Sequence, residues 1–142
     1  TIIGEGAESQ ELGFAIHQLG LTDYVFMLGR KTHDETKQLM AEADIYIQYS
    51  LSEGFCNAVL EAQSLGLLCV VSDGGALPEN VIDTRTGWVV PKRSPDLLAT
   101  KIEKIINLPL EEQMQVKQEA RKRVHNNFNL KKQEFEFKTF YE

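Results

Sequence analysis

The residue types best suited to chemistry fall in one stretch, Ser50-Leu51-Ser52-Glu53-Gly54-Phe55-Cys56-Asn57-Ala58-Val59-Leu60-Glu61-Ala62, which reads as a strand end, a loop and a helix start. A helix amino terminus gathers unpaired N–H groups and carries roughly half a positive charge, so it suits an anion. A diphosphate fits at residues 55–58. Glu53 stands just before this helix and Glu61 about one turn inside it. Each carboxylate can accept hydrogen bonds from hydroxyls of different parts of an extended ligand, one on a ribose and one on a sugar. The spacing equally fits a loop carboxylate followed by a solvated helix carboxylate, so the pair alone decides nothing.

Other candidates are weaker. Gly4-Glu5-Gly6 opens like a dinucleotide fingerprint, but Ser9 stands where the third glycine of G-x-G-x-x-G belongs, and two glycines after a strand more often make a tight turn. No phosphate loop of the form G-x-x-x-x-G-K-[ST] occurs. Cys56 and Cys69 lack metal-site or disulfide-framework spacing, so a reducing cytosol is the expected surrounding. No His lies near Cys56 in sequence to activate its thiol, which reads as a small packed residue. There is no Asp-x-Asp pair, and neither a metal nor a cofactor is expected. Fifteen Lys+Arg against 21 Asp+Glu leave a net charge of -6, the wrong sign for a domain that grips nucleic acid. Charged residues interrupt every apolar stretch well short of the roughly 18 needed to span a bilayer.

The elements that must position these residues alternate in type. Strand candidates are residues 1–3, 24–28, 44–49, 68–71 and 88–90, with helical patterns between them, which predicts an α/β fold with a mostly parallel sheet of about five strands. Thr32-His33-Asp34-Glu35 has capping-box form ahead of Leu39, Met40 and Ala43. Residues 57–65 carry Ala58, Val59, Ala62 and Leu65 on one face and close at Gly66. Ser94-Pro95-Asp96 pairs an N-cap with Pro at the first helical position, and Leu98, Ile102, Ile105 and Ile106 supply the stripe to be buried. Past Leu108-Pro109 the strands stop. Helical stretches over residues 111–126 and 130–141 form a tail, predicting a sheet domain over 1–109 and helices packed on it over 110–142. Arg121-Lys122-Arg123, with Lys117 and His125, reads as a solvated helix face or as a weak contact for an anionic membrane surface.

Glu53-Gly54-Phe55 with Glu61, then Gly66, Val70-Val71-Ser72-Asp73-Gly74-Gly75, Leu77-Pro78-Glu79 and Thr86-Gly87-Trp88-Val89-Val90 form an ordered series. Together with Ile3-Gly4-Glu5-Gly6, Val25-Phe26-Met27-Leu28-Gly29 and Ala43-Asp44-Ile45-Tyr46-Ile47 it resembles the donor-binding half of retaining GT-B glycosyltransferases of group 1, over about residues 1–108. The Glu53 and Glu61 pair matches that family's E-x7-E motif. The resemblance implies a Rossmann-like domain that binds a nucleoside diphosphate sugar. In it Glu53 contacts the transferred sugar as the catalytic carboxylate, and main-chain N–H groups of Gly54, Phe55, Cys56, Asn57 and Ala58 line the sugar and diphosphate. Glu61 binds the ribose. Arg30 and Lys31 border the base; a pair of solvated surface charges is the other reading of those two. Gly74, Gly75 and Glu79 fall in the glycine-rich loop, with turn geometry first and ligand contact second. Cys56 replaces a glycine frequent in the family and adds a side chain beside the sugar.

The chain opens inside a strand without Met, which suggests a piece of a longer protein. In the order 3-2-1-4-5-6, the resemblance makes residues 1–3 strand 2 and residues 45–49 strand 4. The first strand-helix unit, with the basic residues that clamp the diphosphate, would then precede Thr1, as would the domain that holds the acceptor. A vacant central position would be closed by direct pairing of its flanking strands or by another chain, in an oligomer. The implied activity is sugar transfer with retention of configuration by the full-length enzyme, cytoplasmic or peripheral to the inner membrane face, with the 142-residue piece inactive alone. A sugar-nucleotide epimerase of the same fold and a non-catalytic nucleotide-binding module are the alternatives.

Overall fold

The computed structural model describes residues 1–129, so the helix expected over 130–141 lies outside the described residues. The described chain divides into two compact units, Thr1–Leu39 and the remainder from Met40. The first tail helix belongs to the second unit, where its Val116 and Ala120 are buried.

In the first unit, the two strands expected at residues 1–3 and 24–28 reduce to a parallel bridge between Ile2 and Met27. Ile2 N–H donates to Phe26 O at 2.8 Å and Leu28 N–H donates to Ile2 O at 2.9 Å. Between them runs α1 (Ser9–Gln18), a helix that the sequence analysis did not place. Its apolar residues Leu12 and Phe14 remain exposed, so no buried stripe marks it. Helix α2 (His33–Ala41) follows. Its capping box is formed: Glu35 N–H donates to Thr32 Oγ1 at 3.3 Å, while Thr32 N–H and Oγ1–H donate to Glu35 Oε2 at 2.8 Å each. The Thr32 backbone bond, then its hydroxyl, holds the Glu35 carboxyl below its ordinary pKa. A carboxyl so lowered adds stability above the usual carboxylate range and loses it as pH falls through the folded value. Thr32→Ala should therefore lower the urea midpoint at neutral pH, and this difference should shrink on acidification; a pH-independent difference would exclude the box as its source.

The second unit holds a parallel sheet of β1 (Ile45–Gln48), β2 (Leu68–Ser72) and β3 (Trp88–Val90), in the order β1-β2-β3. In register, Ile47 lies opposite Val70, and Val70 opposite Trp88. The sheet thus has three strands rather than five. β2 is central and fully buried, and its side-chain period of two divides the core. Cys69 and Val71 pack with Met40, Val59, Ala62, Leu77 and Val81, and Leu68 and Val70 with Trp88, Val90, Ile105 and Val116. Each such aliphatic side chain contributes about 1.5–3 kcal/mol by leaving water. Burial pushes the Cys69 thiol up to about 12, which keeps it protonated and inert.

Helix α3 (Asn57–Leu65) connects β1 to β2 and closes as expected at Gly66, at φ 88°. A short α4 (Leu77–Asn80) follows β2. Helix α5 (Pro95–Ile106) begins where Ser94-Pro95 predicted, but Ser94 makes no side-chain cap; its N–H donates to the Tyr49 hydroxyl at 2.9 Å instead. Of the predicted stripe, Ile105 is buried and Ile106 is exposed, because adjacent helical residues point about 100° apart and the sheet lies on the Ile105 side. Helix α6 (Leu110–Asn127) packs along α3.

Candidate functional site

The loops that follow β1, β2 and β3 leave the carboxyl edge of the sheet, where open parallel sheets bind ligands. They are tied to one another. Ser72 Oγ donates to Ser50 O, Ala76 N–H to Glu53 O at 2.9 Å, and Lys92 Nζ to Leu51 O at 3.3 Å. Two glycines let the second loop lie against the first: a Cβ on Gly74 would run into the Ser50 carbonyl, and one on Gly75 into the Glu53 carbonyl.

Glu53 is half-buried and held at both ends. Its carbonyl takes the Ala76 bond, and its Oε2 accepts from Ser50 Oγ at 3.0 Å and from Gln48 Nε2 at 3.4 Å. Gln48 Nε2 also donates to Ser50 Oγ at 2.9 Å, and Tyr46 O–H donates to Gln48 Oε1 at 2.7 Å. Tyr46, Gln48 and Ser50 stand two residues apart, so the strand's alternation sets all three on one side, and together they steer Glu53. Burial raises the Tyr46 phenol well above its ordinary value, and Cys56, Cys69, Glu53 and Glu61 add to the shift. Tyr46 is therefore a permanent O–H donor.

The loop then enters α3 through Cys56, the N-cap residue, extended at φ -98° and ψ 100°. Its side chain makes no cap hydrogen bond and packs partly buried against the core. The first N–H groups of a helix have no intrahelical partner. Asn57 and Ala58 leave theirs at the loop, whereas the Cys56 N–H, expected with them, is occupied by Asn80 Oδ1 at 3.2 Å. Phe55 is exposed, and its ring lies 5.5 Å from that of Phe128.

The remaining expected residues belong to the first unit. Arg30 is exposed and Lys31 half-buried; the Arg30 N–H donates to Glu5 Oε1 at 3.4 Å, and Gly4 N–H to Gly29 O at 2.9 Å, so the Gly4-Glu5-Gly6 turn and the loop at 29–31 adjoin. A groove of about 540 Å³ in this unit is lined by Ile2, Gly4, Glu5, Ser9, Leu12 and Met27 among others. The tail arginines are not a uniform solvated face: Arg121 donates to Leu65 O at 2.8 Å, and Arg123 to Asn80 O at 2.8 Å and Glu79 O at 2.6 Å, supplying positive charge to carboxyl ends of helices. Asn80 and Gln48 were not singled out from sequence, and Arg123 was read there only as part of a basic helix face. The alternation of Tyr46, Gln48 and Ser50 was a readable signal. Nothing local marks Asn80. Among the described residues there is no cluster of metal-ligating side chains, and no helix is long and apolar enough to cross a membrane.

Residues 1–123 match the family described as glycosyl transferases group 1. The chain belongs to that family. It is 31% identical over 134 residues to the putative colanic acid biosynthesis glycosyltransferase WcaL of Escherichia coli K12, covering 90% of this chain and 33% of that protein. The chain thus spans about a third of the length of that curated relative. Sucrose-phosphate synthase from Thermosynechococcus elongatus superposes with a TM-score of 0.84 at 26% identity, over 96% of this chain and 34% of that one. The fold also recurs in Anabaena Alr3699/HepE, solved in complex with UDP and glucose, with a TM-score of 0.86 at 23% identity over 99% of this chain and 40% of that one.

Proposed function

We propose that this chain is the donor-binding part of a glycosyltransferase that moves a sugar from a nucleoside diphosphate sugar to an acceptor with retention of configuration. The observation that carries the reading is Glu53, its Oε2 held by Ser50 and Gln48 in the loop that leads into α3, beside a helix start whose own N-cap side chain leaves it open. In transfer, the bond from the sugar C1 to the diphosphate breaks, the acceptor hydroxyl oxygen bonds C1 on the same face, and its proton passes to the departing diphosphate oxygen. Charge then develops on the departing diphosphate. The Asn57 and Ala58 N–H groups and the α3 dipole stabilise it, Glu53 holds the sugar hydroxyls, and Glu61 holds the ribose. The solved HepE complex with UDP supports a nucleotide ligand for this fold.

The chain's coverage of about a third of WcaL supports a longer protein that adds the acceptor-binding part and a further strand-helix unit beside β1. We expect the 142-residue chain to show no transfer by itself. The test is incubation of the full-length protein with a panel of UDP-, GDP- and ADP-sugars and an acceptor, with the product's anomeric configuration read by NMR. A glycoside with the donor's configuration is expected. An inverted product would overturn retention, and an altered sugar nucleotide formed without acceptor would make the protein an epimerase.

A further inference from the structure

The Cys56 backbone is gripped by a side chain far away in sequence. Asn80 is fully buried, and its carboxamide meets Cys56 twice: Oδ1 accepts from the Cys56 N–H and Nδ2 donates to the Cys56 carbonyl, each at 3.2 Å. This is the pairing a neighbouring strand would offer, made here by one side chain. It matters because an N-cap residue ordinarily turns its own side-chain oxygen onto the first helical N–H groups, and Cys56 does not. The loop is set from outside the helix instead, and the leading amides are left for a ligand.

Asn80 is itself fixed from behind. Its carbonyl accepts from Gln63 Nε2 at 3.1 Å and from Arg123 Nη1 at 2.8 Å. Gln63 Nε2 also reaches Thr86 O at 3.2 Å, an orientation that leaves its buried Oε1 without a partner among the described residues. The Arg123 guanidinium lies 4.8 Å from the centre of the Phe128 ring, which in turn packs on Phe55. The end of α6 thus reaches residues 55 and 56 by two routes, one through Asn80 and one through Phe128.

We infer that Asn80, backed by Arg123, is a positioning residue that aims the Asn57 and Ala58 amides at the donor's diphosphate. The inference rests on the proposed donor site. A purely structural role would lower stability and weaken every ligand alike. An aiming role penalises the diphosphate selectively, because only that group is held by the amides.

The experiment compares affinities of the full-length protein for the nucleoside diphosphate it prefers among UDP, GDP and ADP, and for the matching nucleoside, by calorimetry. Asn80→Leu should weaken the diphosphate about tenfold more than the nucleoside, and Arg123→Ala should shift the ratio the same way by about threefold. Arg123 is only partly buried, so its variant still decides the matter if Asn80→Leu fails to fold. A wild-type protein that prefers the diphosphate, with a ratio unchanged in the folded variants, overturns the positioning role alone. A wild-type protein that does not prefer the diphosphate overturns the donor site and the inference with it.

Discussion

Glu53→Gln in the full-length protein is expected to lower kcat by about 100-fold, or about 2.7 kcal/mol of transition-state stabilisation, while the affinity for nucleoside diphosphate stays within a few-fold. The substitution keeps shape and removes charge. Ser50 and Gln48 both donate to the same carboxylate oxygen, Oε2. A glutamine here satisfies them only by turning its carbonyl oxygen toward them, which presents its NH₂ where the carboxylate offered Oε1. An acceptor becomes a donor, and the negative charge that would offset positive charge developing on the sugar ring is gone. Glu61→Gln should behave differently. Proposed to hold the ribose, Glu61 contributes the same in ground and transition states, so its loss should weaken nucleotide binding and leave kcat largely intact. Steady-state kinetics with separately measured affinities divides the two roles. Equal losses of binding with unchanged turnover in both variants would contradict this division.

How far this site was legible in the sequence differs element by element. The α3 span, its Gly66 stop and the β2 and β3 strands were readable because their apolar periods are regular and their ends carry turn chemistry. The strands at the amino-terminal end were overcalled: Thr1-Ile2-Ile3 and residues 24–28 have strand composition, yet only Ile2 and Met27 form a bridge, since propensity describes what a segment tolerates and pairing requires a partner. Ile106 was assigned inward by spacing alone, and packing against one side of the helix reversed it. In the site, Glu53 and Glu61 could be picked out by type and spacing. What sets the loop between them could not, because Asn80 to Cys56 is a contact between side chain and backbone across 24 residues, and no periodicity encodes it. The same applies to the tail: a run of Arg, Lys and Arg reads as a basic face, and only the tertiary structure shows two of those side chains turned onto helix-end carbonyls.

Gly75→Ala is expected to destabilise the protein by about 2–4 kcal/mol, a fall of about 10 °C in Tm for a domain of this size, and to reduce turnover further at temperatures where the variant is still folded. Two costs add. Gly75 sits at φ 64°, in the left-handed region, where a Cβ costs about 1–2 kcal/mol. The same Cβ would also collide with the Glu53 carbonyl, which is backbone and cannot swing away as a side-chain tip can. Gly20 separates the two terms: its φ is 66°, but a Cβ there meets nothing within 4 Å. Gly20→Ala should therefore show only the conformational cost, about 1 kcal/mol, with normal turnover. The excess in Gly75→Ala then measures the close approach of the two loops. Relief of that clash must shift either the 74–76 loop or Glu53, and both moves stretch the Ala76 N–H bond to the Glu53 carbonyl, one of the ties that set the carboxylate. Thermal unfolding and kcat of both variants check this. Should Gly75→Ala prove no less stable than Gly20→Ala and fully active, the loops yield freely, and a Glu53 pinned through its backbone is not what positions the sugar.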